Sequence, residues 1–471
     1  MKNLILALAV LLFVAPASAA GPERESPQTC CHSCGVELLP QTGDVVYDKE
    51  GNGYCGPCGS KLGLVPEKGR AYDILTAKKL TGDWGQVRTD LENVGVKYSP
   101  LFIGHYQFNF RGGVNTHNAH ESTGRLFHNL EFDFEKMFGL KGATFFARIN
   151  QSWNDGINRH VGARVPPYWG SGSPGDKSQD LDKWWWRQRL FDNRLEFRLG
   201  KLVNIIDLID QNVYAKAYSV TFMNRAFSHN LTVPTTKGLG AFAKWWPVDW
   251  LYVEALAVDP DYGQTTCSHG WGGFDTAFGG EDRFRAFWEF GLLPNKIPGG
   301  ESLLPGHYRF GWWLDPQAKA KFIDDLGGLR AEQRRGGDVG WYLSFDQMVW
   351  KENNDPKDKQ GLGLFARYGF AHQDVNRVNH FWSAGASYQG LIPSRDKDVL
   401  GFGVAQSILS KTYRHNIDSR ADRETVYELY YSIKVTPWCE IAPDVQVVTN
   451  PGGGKDARDA LIGGVRVKIV F

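Results

Sequence analysis

Beyond residue 20 the chain has no uninterrupted apolar run long enough for a spanning helix, and its mean hydropathy is negative, which excludes a bundle of membrane helices. Charge of either sign is not in excess, with 53 Lys+Arg against 52 Asp+Glu. A nucleic-acid partner, which selects a basic surface, is therefore not expected. No nucleophile elbow, phosphate loop or HExxH motif is present. Glu131 and Asp133 share a strand face, as a glycosidase pair could, but no sequence feature desolvates one to make it an acid. Cysteine is scarce as well: past residue 58 only Cys267 and Cys439 remain, one expected in an external loop and the other at an internal turn, too far apart to bond.

The other five cysteines crowd into residues 30–58. Cys31-His-Ser-Cys34-Gly and Cys55-Gly-Pro-Cys58-Gly are two CxxCG knuckles. Their spacing lets two turns pinch one tetrahedral ion, so Cys31, Cys34, Cys55 and Cys58 are candidate zinc ligands in a zinc-ribbon-like segment over 21–70. A pair of disulfides is the alternative, and Cys30 adds a spare thiol to either. Neither CxxC is followed by His, which excludes haem attachment. Ahead of them, residues 1–20 combine Lys2, an apolar stretch from Leu4 to Val14, and Ala17 and Ala19, the pattern of a secretory signal peptide.

Residues 71–95 hold one short helix, with Asp83 as cap, Trp84, Val87, Leu91 and Val94 as apolar stripe, and Gly95 at its end. From 96 onward the period is two. Sixteen strands are predicted: 101–111, 126–134, 143–153, 184–191, 194–201, 238–246, 250–258, 284–293, 307–314, 341–350, 361–370, 380–390, 399–409, 425–436, 440–449 and 461–471. The last ends on Phe471, with Val465, Val467 and Ile469 on one face and Arg466 and Lys468 on the other. Connections alternate between tight turns, such as Asp192-Asn193 and Pro437-Trp438, and long loops over 154–183, 202–237, 259–283 and 315–339. An all-β transmembrane antiparallel barrel of about 16 strands accounts for all of this, with both termini at the short-turn rim.

Face assignment then names the wall. Across the Asp192-Asn193 turn, Arg189 should oppose Glu196 and Arg187 oppose Arg198. Facing lipid, each such cation would cost roughly 2–4 kcal/mol at midplane, so the ladder is expected to face water. Candidate pore-lining residues are Glu131, Asp133, Arg148, Asn150, Arg187, Arg189, Glu196, Arg198 and Lys201. Asp207 and Arg225 join them from the 202–237 loop, expected to fold inward. Of the cluster Trp184, Trp185 and Trp186, the simpler reading is an interfacial girdle rather than a sugar-stacking platform.

Several motifs in order carry a family resemblance over about residues 78–471. Leu80-Thr-Gly-Asp-Trp-Gly85, the run 130–149, Arg198-Leu-Gly-Lys201 and the run 340–350 resemble the OprB-type carbohydrate-selective porins. So do Tyr427-Glu-Leu-Tyr430, Thr436-Pro-Trp438, Pro443-Asp444 and Asn450-Pro-Gly-Gly453. The resemblance implies a sixteen-stranded outer-membrane porin that passes small carbohydrates by diffusion, without a cofactor for transport. A general or anion-preferring diffusion porin is the alternative. Residues 21–95 are then expected on the periplasmic side. The partners implied are sugars, outer-membrane lipid, the barrel-assembly machinery through the Phe471 strand, and further copies of the chain in a homo-oligomer. The cysteine segment departs from the family's usual pattern.

Overall fold

In the computed structural model the described residues are 45–47, 53–55, 73–153, 156–168, 178–202, 205–216, 220–235, 238–260, 284–300, 303–322, 334–353, 355, 358–418 and 420–471. The signal-peptide reading, Cys31, Cys34, Cys58 and Cys267 lie outside them, and of Cys55 only the backbone is described. The chain divides into two compact units, Met1–Asp73 and Ile74–Phe471. In the first, β1 (Val45–Tyr47) and β2 (Gly53–Cys55) form an antiparallel hairpin that brings Val45 opposite Cys55.

The second unit is a closed antiparallel barrel. Its wall begins with β3 (Val96–Gly113), β4 (His120–Asp133), β5 (Ala143–Trp153), β6 (Ser178–Leu190) and β7 (Leu195–Lys201). Next come β8 (Leu239–Val248), β9 (Leu251–Val258), β10 (Arg285–Leu292) and β11 (Gly306–Asp315). A small pair, β12 (Lys319–Ala320) with β13 (Arg334–Arg335), stands outside the wall. The wall resumes with β14 (Asp338–Lys351), β15 (Gly361–Ala371), β16 (Val378–Gln389) and β17 (Val399–Leu409). It ends with β18 (Arg423–Lys434), β19 (Cys439–Thr449) and β20 (Arg458–Val470). Pairing of β20 with β3 closes the ring and leaves no edge. Each of the sixteen expected segments is one wall strand.

Alternation explains why these residues make a tube. On β14, Val339, Trp341, Leu343 and Phe345 are exposed while Tyr342, Ser344 and Asp346 are buried. The outward residues are large and apolar, as hydrocarbon requires, and the inward ones carry the charge. The hairpin between β6 and β7 has the expected register, Arg189 opposite Glu196 and Arg187 opposite Arg198. Its turn is longer than predicted, because Leu190 and Leu195 form the last pair.

Two local expectations fail. The strand predicted over 126–134 stops at Asp133, whose carboxylate accepts hydrogen bonds from the backbone N–H of Glu135 (3.0 Å) and Lys136 (3.2 Å). Asp133 thus caps α2 (Phe134–Phe138) at the short-turn rim rather than lining the pore wall. Asp133→Ala should lower the barrel's unfolding free energy by about 1 kcal/mol, read from its denaturant midpoint. The preceding helix, α1 (Val87–Asn93), is shorter than predicted, and its apolar stripe is open: Val87, Leu91 and Val94 are exposed. Arg88 is the buried member, lying 4.1 Å over the Trp84 ring and donating to the Gly82 carbonyl (2.6 Å). Asp83 does accept from Thr89 N–H (2.9 Å), though the helix begins only at Val87.

Candidate functional site: the lumen

The lumen is shaped by what folds into it. The loop after β7 enters the barrel and buries Ile206, Ile209, Ala215, Phe222, Ala226 and Phe227. Phe222 and Phe227 sit with ring centroids 4.5 Å apart, and Phe222 meets Phe365 (5.4 Å) and Tyr430 (4.9 Å) of the wall edge-on. Wall glycines make the room. A Cβ on Gly403 would fall 2.6 Å from the Phe227 ring. The loop after β5 also turns inward, with Ile157, Val161 and Val165 in the same apolar cluster, which the sequence reading did not foresee.

Burying loop backbone leaves N–H and C=O groups that need partners. Wall side chains supply them. Glu428 accepts from the N–H groups of Met223 (2.5 Å) and Asn224 (2.9 Å), and Glu424 from those of Arg164 (2.5 Å), Val165 (2.9 Å) and Gly452 (2.6 Å). Glu289 accepts from Asp210 N–H at 2.8 Å. Arg367 donates to Asp210 Oδ1, to the Phe227 carbonyl and to the Ala215 carbonyl, each at 2.9 Å. Within the loop, burial together with Arg225 and Arg367 pushes the His229 imidazole well below its ordinary value, which keeps it neutral.

The loops pack on the inner faces of β8 to β11 and β14 to β19 and reach Trp185 of β6, and the partly covered polar groups of the lumen follow β4 to β7. There Asn129, Glu131, Phe146, Arg148, Arg187, Arg189 and Arg198 are only partly covered. Arg148 donates to Asn129 Oδ1 (2.7 Å) and lies 4.7 Å over the Phe127 ring. Glu196 accepts from Arg189 Nε (2.9 Å) and Arg198 Nε (2.7 Å). Trp185 underlies them, stacked on Phe146 at 5.0 Å, with the Arg198 guanidinium 4.9 Å from its ring centre. Strand parity turns Trp184 and Trp186 outward and Trp185 inward, so the tryptophan cluster divides between the two faces. Toward the short-turn rim a cavity of about 450 Å³ opens between Asn212, Lys216, Lys244, Tyr252, His307 and Arg309.

Residues 117–471 match the carbohydrate-selective porin, OprB family. The chain belongs to that family. It is 25% identical to Porin B of Pseudomonas aeruginosa, over 87% of this chain and 95% of the relative. The putative porin QuiX of Acinetobacter baylyi is 22% identical over 83% and 93%. In fold the OprB-family barrel is similar to the high-pH structure of Pseudomonas putida OprB, with a TM-score of 0.73 and 22% identity over 85% of this chain and all of that one. It is thus a carbohydrate-selective porin of the bacterial outer membrane, a channel and not an enzyme.

The predicted site residues of this OprB-family chain do not all come together. Arg148, Arg187, Arg189, Glu196, Arg198 and Glu131 lie along one stretch of wall. Asn150 is on the same face of β5, buried, and its Oδ1 has no hydrogen-bond partner among the described residues. Lys201 is fully buried and donates to the Leu181 carbonyl (2.6 Å), so it ties the end of β7 to β6. Asp207 pairs with Lys183, and Arg225, partly covered, donates its backbone N–H to the Pro166 carbonyl (3.2 Å) between the two inward loops. The wall groups that hold the loops, Glu289, Arg367, Glu424 and Glu428, were missed. A signal did exist. Arg367 and Glu428 are lone charges at inward parity in otherwise apolar, aromatic runs, GLGLFARYGF and TVYELYY. Among the described residues no group of three or more His, Cys, Asp and Glu side chains is placed to hold a metal ion, and the described thiol of Cys439 is free.

Proposed function

We propose that the channel passes small sugars by passive diffusion, and that the β4–β7 stretch of the lumen selects them. The observation carrying this reading is the juxtaposition of Arg187, Arg189, Arg198 and Glu196 with the partly covered Phe146 ring, which is stacked on the buried Trp185. Guanidiniums and carboxylates meet hydroxyls as donors and acceptors, and the aromatic surface suits the apolar face of a sugar ring. Passage also demands weak binding, because a solute must leave as readily as it enters. The test is swelling of liposomes carrying the detergent-extracted protein, using a panel of sugars and size-matched non-sugar polyols. Hexoses should enter several times faster than polyols of equal size. Equal rates would replace this reading with a general diffusion pore. An anion-preferring pore is the second reading, favoured by the guanidiniums outnumbering the exposed carboxylates on that wall. A salt-gradient reversal potential separates it from the first.

The exported chain in this reading loses residues 1–20, keeps 21–95 on the periplasmic side and is inserted by the assembly machinery through its Phe471 strand. Cys31, Cys34, Cys55 and Cys58 then hold one zinc ion. Metal analysis of the full-length exported protein should return about one zinc per chain, lost to a strong chelator. Absence of metal together with a mass four hydrogen atoms below the reduced chain would establish the two disulfides instead.

A further inference from the structure

The lumen's charges are sorted by sign in a way the near-neutral composition hides. Its acids are largely committed, Glu131 apart: Glu289, Asp346, Glu424 and Glu428 are at most 2% exposed and bound to loop amides, cations or tyrosines. The cations of the β6–β7 hairpin remain open, with side-chain exposures of 40% for Arg189 and 22% for Arg198. Arg187 stands directly opposite Arg198 in the register, and like charges so placed repel. One carboxylate, Glu196, 4% exposed, serves Arg189 and Arg198 together. Arg187 donates to Thr144 Oγ1 (2.9 Å), and its buried Nε has no hydrogen-bond partner among the described residues. Three guanidiniums therefore face two carboxylates, Glu196 and, from β4, the partly covered Glu131, and positive charge is left in excess.

We propose that Arg187, Arg189 and Arg198 form a carboxylate-binding subsite, so that the channel takes sugar acids (aldonates and uronates) in preference to neutral sugars of the same size. The proposal rests on the carbohydrate-porin reading and narrows its substrate class. A guanidinium presents a planar fork that fits a carboxylate in bidentate fashion, and the charge-assisted bond is stronger than a bond to a neutral hydroxyl. A carboxylate in this cluster would also balance the Arg187–Arg198 repulsion, which no hydroxyl can. The hydroxyls of such a solute meet Glu131, which stands partly covered on the neighbouring strand of the same wall. Because the wall stays open to water, the added affinity is modest, as rapid release requires.

The test measures block of the single-channel current by glucose, glucuronate and acetate, using the full-length protein in planar bilayers. Glucuronate should block at a concentration about tenfold below glucose, the difference expected for one charge-assisted contact. Acetate, with the carboxylate and no hydroxyls, should block far less than glucuronate. R187Q should bring the glucuronate-to-glucose ratio to within about twofold, and R187K, which keeps the charge and loses the fork, should fall between. Heat-modifiable migration on gels verifies that each variant is a folded barrel. Equal block by glucose and glucuronate in the unaltered channel overturns the proposal, as does acetate matching glucuronate, or a ratio unchanged in both variants. Failure of every sugar to enter liposomes would instead overturn the carbohydrate-porin reading beneath it.

Discussion

Arg367→Met should raise single-channel conductance severalfold and abolish current block by sugars, while the barrel itself stays folded. Arg367 is fully buried and is the point where one wall residue holds three separate parts of the inward loop: Asp210, Ala215 and Phe227. Removing it leaves the Asp210 carboxylate, 2% exposed, without its counter-charge and two loop carbonyls without these donors. Breaking a buried pair from one side costs about 3–5 kcal/mol. None of that is needed by the strand ladder, whose hydrogen bonds are between main chains. The loop, and not the tube, is therefore what gives way. R367M combined with D210N should recover part of the loss, because the stranded charge is gone. Conductance and the unfolding midpoint, measured on the same preparations, check both halves: a closed, sugar-blocked R367M channel would show that the loop is held by other means.

Phe227→Ala is the apolar counterpart. Phe227 is fully buried between Phe222, Phe365 and Gly403. Truncating a buried phenylalanine costs about 3–5 kcal/mol through lost burial and the cavity left behind. The wall cannot collapse to fill the gap, since its strands are fixed by pairing on both sides. Noisy current, larger mean conductance and faster proteolysis within 202–237 are the expected results. Because Phe227 and Arg367 hold the same loop, their effects on its release should be less than additive. Full additivity would mean that the two halves of the loop let go independently.

How much of this could be read in advance follows from the physics of each part. A wall strand repeats every two residues and has lipid on one side, so the sixteen segments and the Arg187–Arg198 register are written locally. Strand ends are decided by competition between nearby groups. Asp133 stops β4 because its carboxylate can satisfy the first amides of a helix, and alternation alone gives no sign of that. The exposed stripe of α1 fails for a related reason: a seven-residue helix is too short to dictate its own packing, and Arg88 found the indole of Trp84 first. The inward loops are the least legible. Glu424 meets Arg164 and Glu428 meets Met223 across more than two hundred residues of sequence, and main-chain amides carry no residue code.

That last point has a practical side. Glu289, Glu424 and Glu428 grip the peptide backbone of the plug segments and ignore which amino acids those segments bear. Selectivity can then drift, or be re-engineered, by exchanging residues such as Lys216 or Gln211 that look into the water, with the moorings untouched. A scaffold fastened in this manner behaves as a socket for interchangeable filters.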